Sequence, residues 1–196
     1  MKNAFVFPGQ GSQFVGMGKD LAENFASARE VFQEVDNTLN QNLFALMTGG
    51  PEHELTLTAN TQPALMAVSM AVVRVLEKEF GIALKDKAAF VAGHSLGEYS
   101  AACAAGVFSL ADTARLLRAR GDAMQKAVPF GVGGMAAVIG VSFKDINALV
   151  EACCDENALC VAANDNSDGQ VVLSGHMAAI DKAVEIAPEF GAKRCI

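Results

Sequence analysis

The sequence predicts an α/β protein with a parallel sheet over residues 1–130 and a small ferredoxin-like α+β part over residues 131–196. Two short apolar runs predict the parallel sheet, because each is followed by a glycine-containing turn and a segment of helical character. The second part is predicted by segments that follow the order β-α-β-β-α-β. Pro129 and a glycine-rich stretch at 131–134 separate the two parts.

Composition limits the classes of function. The 196 residues are 52% hydrophobic and 19% charged, which suits one domain, or one domain that carries a smaller inserted one. A net charge of −7 without a lysine or arginine cluster argues against nucleic-acid binding. The longest apolar stretch, residues 64–76, contains Arg74, so we expect no membrane span. We also expect a monomer that uses no cofactor.

Five cysteines give little sign of a metal centre or of a disulfide framework. Their number is odd, and none of them has the Cys-x-x-Cys spacing of common metal and redox sites. This favours reduced thiols in the cytoplasm, and no metal site is expected. The five residues are Cys103, Cys153, Cys154, Cys160 and Cys195.

The first predicted strand, residues 4–7, is apolar and expected to be buried, and it leads into a glycine-rich loop at residues 9–18. A dinucleotide-binding fingerprint needs a glycine where the chain has Phe14, and a P-loop needs a lysine where it has Met17. Two interpretations remain. The loop either brings free backbone amides close to a reacting atom or is a flexible connector.

Apolar residues at helical spacing predict a helix over residues 21–39 and a longer one from Asn60 to Phe80. The turn-rich segment 48–60 contains His53, which we expect to be exposed. Hydrophobic positions wrap most of the way round the longer helix, so it is predicted to be central and buried, with Pro63 in its first turn.

A further helix is predicted from the Ser-x-x-Asp cap at residues 109–112 to about residue 128. It carries Arg115, Arg118 and Arg120. Arginines three and five residues apart cannot all lie on one face of a helix, so at least one of them is expected to have a separate role.

The second part alternates strands and helices in a regular way. The apolar pattern predicts one helix between the first and second strands and another between the third and fourth strands, and the chain ends as the last strand finishes. The predicted strands are 135–141, 159–163, 170–174 and 192–196, and the predicted helices are 144–154 and 177–190.

Residues 88–105 carry the strongest functional pattern. An apolar run, expected to form a buried strand, is followed by Gly-His-Ser-Leu-Gly at 93–97 and then by a helix-forming stretch of small residues. A serine in this strand–turn–helix context has a strained backbone, so its neighbours must be small, and its hydroxyl projects from the top of a sheet. The pattern predicts that Ser95 is a nucleophile; a plain turn serine is the alternative.

Four motifs together resemble those of the malonyl-CoA:acyl carrier protein transacylases of fatty-acid synthesis. They are FVFPGQGSQ at 5–13, NTQPAL at 60–65, GHSLGEYSA at 93–101 and RARGDAMQ at 118–125, in the family's order and spacing. The resemblance implies an α/β-hydrolase-like core with an inserted ferredoxin-like subdomain. It also implies transfer of a malonyl group from malonyl-CoA to the phosphopantetheine thiol of acyl carrier protein through an acyl-serine, in the cytoplasm.

The resemblance assigns roles to individual residues. Ser95 is the implied nucleophile, and the backbone amides of Leu96 and Gln10 form the implied oxyanion hole. Arg120 matches the arginine that binds the free carboxylate of the malonyl group, because a planar guanidinium offers two parallel hydrogen bonds that lysine cannot reproduce.

Weaker candidates for the substrate-binding site are Gln62 and the pair Asn164 and Asn166, which the resemblance assigns to the mouth of the site. The asparagines are expected in a turn, where this residue type is common for structural reasons. His94 is also a candidate because it adjoins Ser95, although a side chain next to the nucleophile at such a turn is expected to point away from it.

One departure from the family pattern concerns the catalytic base. The family activates its serine with a histidine downstream of the ferredoxin-like part, and position 196 is reached first. The histidines present are His53, His94 and His176, and none of them replaces the base convincingly. We therefore expect that the chain is C-terminally incomplete and that it has little activity as given.

Two other functions share some of these features. A serine esterase or thioesterase has the same turn, but Arg120 and the GQGSQ loop disfavour it, because neither has a role in the usual hydrolase site. A non-catalytic module that binds coenzyme A or the carrier protein is favoured by the missing histidine. The three functions differ in their outcome: an esterase or thioesterase hydrolyses the acyl group, a transacylase transfers it to a thiol, and a binding module forms no acyl-enzyme.

Overall fold

The computed structural model describes residues 3–129 and 131–196. The chain divides into two compact units, one that ends at Ala127 and one that begins at Val128. Each unit has its own cluster of buried apolar side chains, as expected of a unit that could fold by itself.

Helices predominate in the first unit, and its two strands lie far apart in the sequence. The strands are β1 (Asn3–Phe7) and β2 (Ala88–Gly93), and the helices are α1 (Lys19–Asn24), α2 (Ala26–Leu39), α3 (Leu43–Gly49), α4 (Glu52–Leu55), α5 (Thr58–Phe80), α6 (Leu84–Lys87), α7 (Gly97–Ala104) and α8 (Leu110–Ala127).

The strands β1 and β2 are parallel neighbours, with Phe5 opposite Val91, so the predicted parallel sheet is confirmed. Phe7 belongs to the core, and Phe5 and Val91 pack against it. The prediction that both strands are buried holds for one face only, because Val6 is 76% exposed and Phe90 is 67% exposed. Successive side chains of a strand point to opposite faces, and only the face that carries Phe7 is covered.

Helix α5 is central and buried, as its apolar pattern predicts. Both α2 and α8 pack along it. It begins at Thr58, two residues before the predicted start, so Pro63 lies in the second turn rather than the first. The predicted cap of α8 is present, since Ser109 Oγ accepts a hydrogen bond from the Asp112 amide at 3.0 Å.

The single helix predicted over residues 21–39 is instead two helices, α1 and α2. Phe25 separates them with an extended backbone (φ −128°, ψ 123°). Its ring packs edge-on against Phe80, with 6.1 Å between the ring centroids. This contact joins residues that are distant in sequence, so helical spacing alone did not reveal the break.

Three short helices lie where the sequence predicted turns or nothing regular. Helices α3, α4 and α6 have two turns or fewer, which is too short to give an apolar period. Asn42 gives a local signal for α3, because its Oδ1 accepts a hydrogen bond from the Ala45 amide at 3.3 Å. His53 lies on α4 and is exposed, as expected.

The second unit is a four-stranded sheet with two helices in the order β-α-β-β-α-β, and the predicted ferredoxin-like fold is confirmed. The sheet order is β4-β5-β3-β6, and all its neighbouring strands are antiparallel. The elements are β3 (Gly133–Ile139), α9 (Ile146–Cys153), β4 (Cys160–Ser167), β5 (Gln170–His176), α10 (Met177–Ile186), a 3₁₀ turn (Ala187–Phe190) and β6 (Arg194–Cys195).

Asn164 and Asn166 lie on β4 and not in the predicted turn. Strand β4 continues to Ser167, which pairs with Gln170, so the turn is limited to two residues. Gly169 occupies this turn with φ 81°, a conformation that side chains other than glycine rarely adopt. The asparagine-rich composition suggested a loop, but pairing with β5 overrides that local preference.

None of the helices in the described ranges combines the length and the apolar character needed to span a bilayer.

Candidate active site

Ser95 lies in a sharp turn between strand β2 and helix α7. Its φ of 55° is in the left-handed region, which is rare for a residue with a side chain. The turn is held by two backbone hydrogen bonds, from the His94 amide to the Phe7 carbonyl at 3.1 Å and from the Gly97 amide to the His94 carbonyl at 2.9 Å. The serine is exposed, so this strained turn presents its hydroxyl to solvent.

The glycines on either side of the turn are required by close backbone contacts. A Cβ at Gly93 would overlap the carbonyl group of Gly97, and a Cβ at Gly97 would lie 2.7 Å from the Pro8 carbonyl oxygen. These neighbours are backbone atoms, which cannot rotate away. Only glycine at both positions allows β1, β2 and α7 to approach so closely.

We expect Gly93→Ala to lower the free energy of unfolding by about 3 kcal/mol, because the new methyl group must displace backbone at the start of α7. Urea denaturation measures the effect as a lower midpoint with an unchanged slope. Gly49→Ala is the matched control, since a Cβ there meets nothing within 4 Å. Equal stability of the two variants would contradict the close packing of the turn.

Arg120 reaches Ser95 from helix α8. Its Nη2 donates a hydrogen bond to Ser95 Oγ at 3.0 Å, and its Nη1 donates one to Gln62 Oε1 at 2.6 Å. The guanidinium carbon also lies 5.8 Å from the centroid of the Tyr99 ring, within the range of a cation–π contact. The positive charge is therefore fixed beside the hydroxyl, with its orientation set by three side chains.

Gln62 is fully buried on helix α5. Its Nε2 donates to Met124 Sδ at 3.2 Å, which leaves Oε1 to accept from Arg120. A buried amide held at both ends can position a guanidinium accurately. Gln62 is only a weak candidate from the sequence, whereas the geometry puts it in direct contact with Arg120, the strongest substrate-binding candidate.

The other two arginines of α8 have different surroundings. Arg118 donates to Asn60 Oδ1 at 3.1 Å and also to the side-chain oxygen of Gln41. Its burial lowers the pKa of the Arg118 guanidinium, and the charge of Asp122 partly offsets this. Arg115 forms an exposed ion pair with Asp112 at 3.0 Å. Arg120 is thus the arginine of this helix that contacts the candidate nucleophile.

The glycine-rich loop after β1 passes directly beside the turn. The His94 ring occupies the space that a side chain at Gly9 would need, so the ring packs on this loop. The next residue, Gln10, is exposed, and its Nε2 donates to Thr58 Oγ1 at 3.4 Å. Among the backbone hydrogen bonds of turns, loops and caps in the described residues, none has the Gln10 amide or the Leu96 amide as its donor. Both amides therefore fit the role of donors to a ligand.

The remaining candidates lie on other elements of the two units. Asn164 and Asn166 lie in the second unit, as does His176, whose Nδ1 accepts a hydrogen bond from the Leu159 amide at 2.9 Å. This bond gives His176 a structural role at the start of α10. His53 is exposed on α4 of the first unit.

Sequence reasoning missed three residues that complete the arrangement: Tyr99, Thr58 and Met124. Tyr99 lies in the first turn of α7 and contacts Arg120, and its short separation from Ser95 in sequence is the only local signal that could have found it. Thr58 and Met124 gave no such signal, because their partners Gln10 and Gln62 lie 48 and 62 residues away in sequence.

Comparisons with known proteins agree on one family. A model of the acyl transferase domain matches residues 4–194. The malonyl CoA-acyl carrier protein transacylase of Bacillus subtilis is 47% identical over 195 residues, which cover 100% of this chain and 60% of that protein. The chain thus spans about 60% of the length of the curated relatives it matches.

Solved structures show the same likeness. The acyl-carrier-protein-S-malonyltransferase of Bartonella henselae has a TM-score of 0.93 and 58% identity, covering 100% of this chain and 62% of that one. A second structure contains a type II PKS acyl-carrier protein in complex with its malonyl-transacylase. It has a TM-score of 0.90 and 41% identity, with the same coverage of 100% and 62%.

Proposed function

The chain belongs to the acyl transferase domain family, and on that premise we propose that it serves the transfer of a malonyl group from malonyl-CoA to acyl carrier protein. After it leaves malonyl-CoA and before it reaches the carrier protein, the malonyl group is held as an ester on Ser95. The product is a malonyl thioester on the carrier's phosphopantetheine, which supplies fatty-acid synthesis.

One observation carries this proposal: Arg120 donates to Ser95 Oγ and is held by buried Gln62. A malonyl thioester has a free carboxylate two carbon atoms away from the carbonyl that the serine attacks. A guanidinium beside the serine hydroxyl is therefore at the right range to bind that carboxylate through two charge-assisted hydrogen bonds. A simple esterase has no need of such a cation.

The chemistry balances in two steps. Ser95 Oγ attacks the thioester carbonyl while a general base takes its proton, and collapse of the tetrahedral intermediate breaks the carbon–sulfur bond. The base returns the proton to the departing sulfur, so coenzyme A leaves as a thiol. The carrier thiol then attacks the serine ester and restores the hydroxyl. In both steps the amides of Leu96 and Gln10 stabilise the negative charge on the former carbonyl oxygen.

Arg120 also affects the serine itself. A positive charge 3.0 Å from Oγ favours negative charge on that oxygen during the attack. The guanidinium offers only N–H donors and no acceptor, so it stabilises the nucleophile but cannot take its proton. General base and carboxylate anchor are therefore separate groups in this mechanism.

We expect Gln62→Leu to lower acylation by malonyl-CoA about tenfold, because Arg120 loses its partner at 2.6 Å and the guanidinium is no longer oriented. Acylation by acetyl-CoA, which has no free carboxylate, should hardly change. Met66→Leu is the control, since it changes another fully buried side chain of α5 at similar volume and leaves the hydrogen bonds of Gln62 in place. An equal loss with both acyl groups would show that Gln62 acts on the fold and not on the anchor.

The proposal is tested by intact mass after incubation of the chain with malonyl-CoA, followed by addition of holo acyl carrier protein. We expect one malonyl adduct, mapped to Ser95, that forms slowly because the chain has little activity as given and that then moves to the carrier. Release of the adduct as free malonate would favour a hydrolase instead. Saturable binding of malonyl-CoA without any adduct after prolonged incubation would favour a non-catalytic binding module.

We also propose that this activity belongs to the cytoplasm and that its protein partner is an acyl carrier protein. The five cysteines of the described residues are all free thiols, which suits a reducing compartment. The partner is supported by the related malonyl-transacylase whose complex contains an acyl-carrier protein.

A further inference from the structure

Three cysteines of the second unit bring their sulfur atoms together. Cys153 Sγ lies 3.1 Å from Cys160 Sγ, and Cys154 Sγ lies 4.0 Å from Cys160 Sγ. All three sulfur atoms lie within 4.8 Å of one another. The cluster joins the end of α9 to the start of β4 within the second unit.

The distances suit a single ion between the sulfurs. With a zinc–sulfur bond of about 2.3 Å, two thiolates on one ion are about 3.8 Å apart in tetrahedral geometry and about 4.0 Å apart in trigonal geometry. The Cys154–Cys160 separation already has this value. The Cys153–Cys160 pair needs to open by less than about 1 Å, which a rotation of one side chain can provide.

The loop that brings the cysteines together is fixed by its own hydrogen bonds. Asp155 Oδ1 accepts from the amides of Asn157 and Ala158, each at 2.8 Å, and the Asp155 amide donates to the Ala158 carbonyl at 2.9 Å. These bonds lower the pKa of the Asp155 carboxyl. Because both amides donate to Oδ1, this oxygen serves to close the loop. The three sulfur atoms are therefore the principal candidate metal ligands at the site.

The surroundings favour a cation bound to thiolates. The Cys160 amide donates to Cys154 Sγ at 3.1 Å, which is the kind of backbone bond that supports metal-bound thiolates. Cys153 is the last residue of α9, where the carbonyl end of the helix carries partial negative charge. That charge disfavours free thiolates and attracts a positive ion.

A redox role fits the cluster less well. Cys153 and Cys160 are 1% and 4% exposed, so neither sulfur is accessible to an oxidant from solvent. Oxidation to a disulfide begins from an accessible thiolate, which these two residues do not offer. Cys154 is partly exposed and gives an ion a path of entry.

We propose that Cys153, Cys154 and Cys160 form a three-thiolate site for one soft d¹⁰ cation such as Zn²⁺. On binding, the three thiols release their protons to solvent, and the charges of the three thiolates and the divalent ion leave a net −1. A water molecule on the side of Cys154 completes the coordination. The ion links α9 to β4 and stabilises the second unit, because an unfolded chain does not hold the three sulfurs together.

Cadmium is the sharpest probe, because thiolate coordination gives an ultraviolet charge-transfer band. The freshly reduced chain is titrated with Cd²⁺, and native mass spectrometry counts the bound ions. Zn²⁺ is then measured by competition with a chromophoric chelator. We expect one ion per chain and at least a tenfold weaker dissociation constant for Cys154→Ser and for Cys160→Ala.

Cys195→Ala is the matched control, since Cys195 lies in the same unit outside the cluster and should leave ion binding unchanged. Circular dichroism at equal temperature verifies that each variant is folded. Cys154→Ser should disturb the fold least, because Cys154 is only partly buried. Equal affinity of the chain and its Cys154→Ser variant would overturn the proposal. A mass lower by two hydrogens in air, with no ion bound after reduction, would overturn it in favour of a Cys153–Cys160 disulfide.

Discussion

Ser95→Ala is expected to abolish formation of the malonyl enzyme. Removal of a catalytic serine hydroxyl costs about 10⁴-fold or more, because the acyl group has no oxygen to which it can be transferred and the remaining contacts only bind substrate. Intact mass after prolonged incubation with malonyl-CoA should show an adduct on the unchanged chain and none on the variant. Peptide mapping should place the adduct between residues 93 and 101.

Ser100→Ala provides the matched control for this substitution. Ser100 lies on α7 five residues further on, is 1% exposed, and its Oγ has no hydrogen-bond partner within the described residues. Removal of an unsatisfied buried hydroxyl costs little, so this variant should be acylated at the rate of the unchanged chain. An adduct that persists in Ser95→Ala, for example on a cysteine, would contradict the role of Ser95.

The turn around Ser95 could be predicted because everything that determines it is local. Two glycines, a serine and a preceding apolar run occur within ten residues, and steric limits on the backbone allow few other structures. The positive φ of Ser95 agrees with this local pattern. The same holds for the cap of α8, where Ser109 and Asp112 lie three residues apart.

The partners of Arg120 could not be predicted in the same way. Gln62 and Ser95 lie 58 and 25 residues away from Arg120 in sequence, and only the packing of α5 against α8 and α7 brings them together. Helical spacing placed α5 in the core but could not tell which of its buried positions faces an arginine. The resemblance to a known family supplied Arg120, whereas the geometry added Gln62 and Tyr99.

Long-range packing also explains the errors in the predicted fold. The apolar run of β2 suggested burial on both faces, but the exposure of a strand depends on which elements cover each face. The break at Phe25 arises from its contact with Phe80, which is 55 residues away and invisible to a local pattern. The cysteine cluster is similar, because the spacing of residues 153, 154 and 160 matches no common motif and a closed loop brings the sulfurs together.

Arg120→Ala is expected to remove selectivity for the malonyl group. The guanidinium offers two hydrogen bonds to a carboxylate, and the loss of charge-assisted bonds worth about 3 kcal/mol in total corresponds to roughly a 10²-fold fall in kcat/KM for malonyl-CoA. Acetyl-CoA has no carboxylate to bind, so its rate should fall much less. Arg120→Lys should keep the charge and lose the paired geometry, and it should give an intermediate rate with malonyl-CoA.

Arg115→Ala distinguishes this effect from a general loss of positive charge on α8. Arg115 lies on the same helix in an exposed ion pair with Asp112, so its removal changes the net charge equally and should leave both rates unchanged. The decisive quantity is the ratio of malonyl to acetyl transfer, which is insensitive to the fraction of folded protein. A ratio that stays constant in Arg120→Ala would mean that the arginine supports the serine or the fold, and that malonyl selectivity comes from another group.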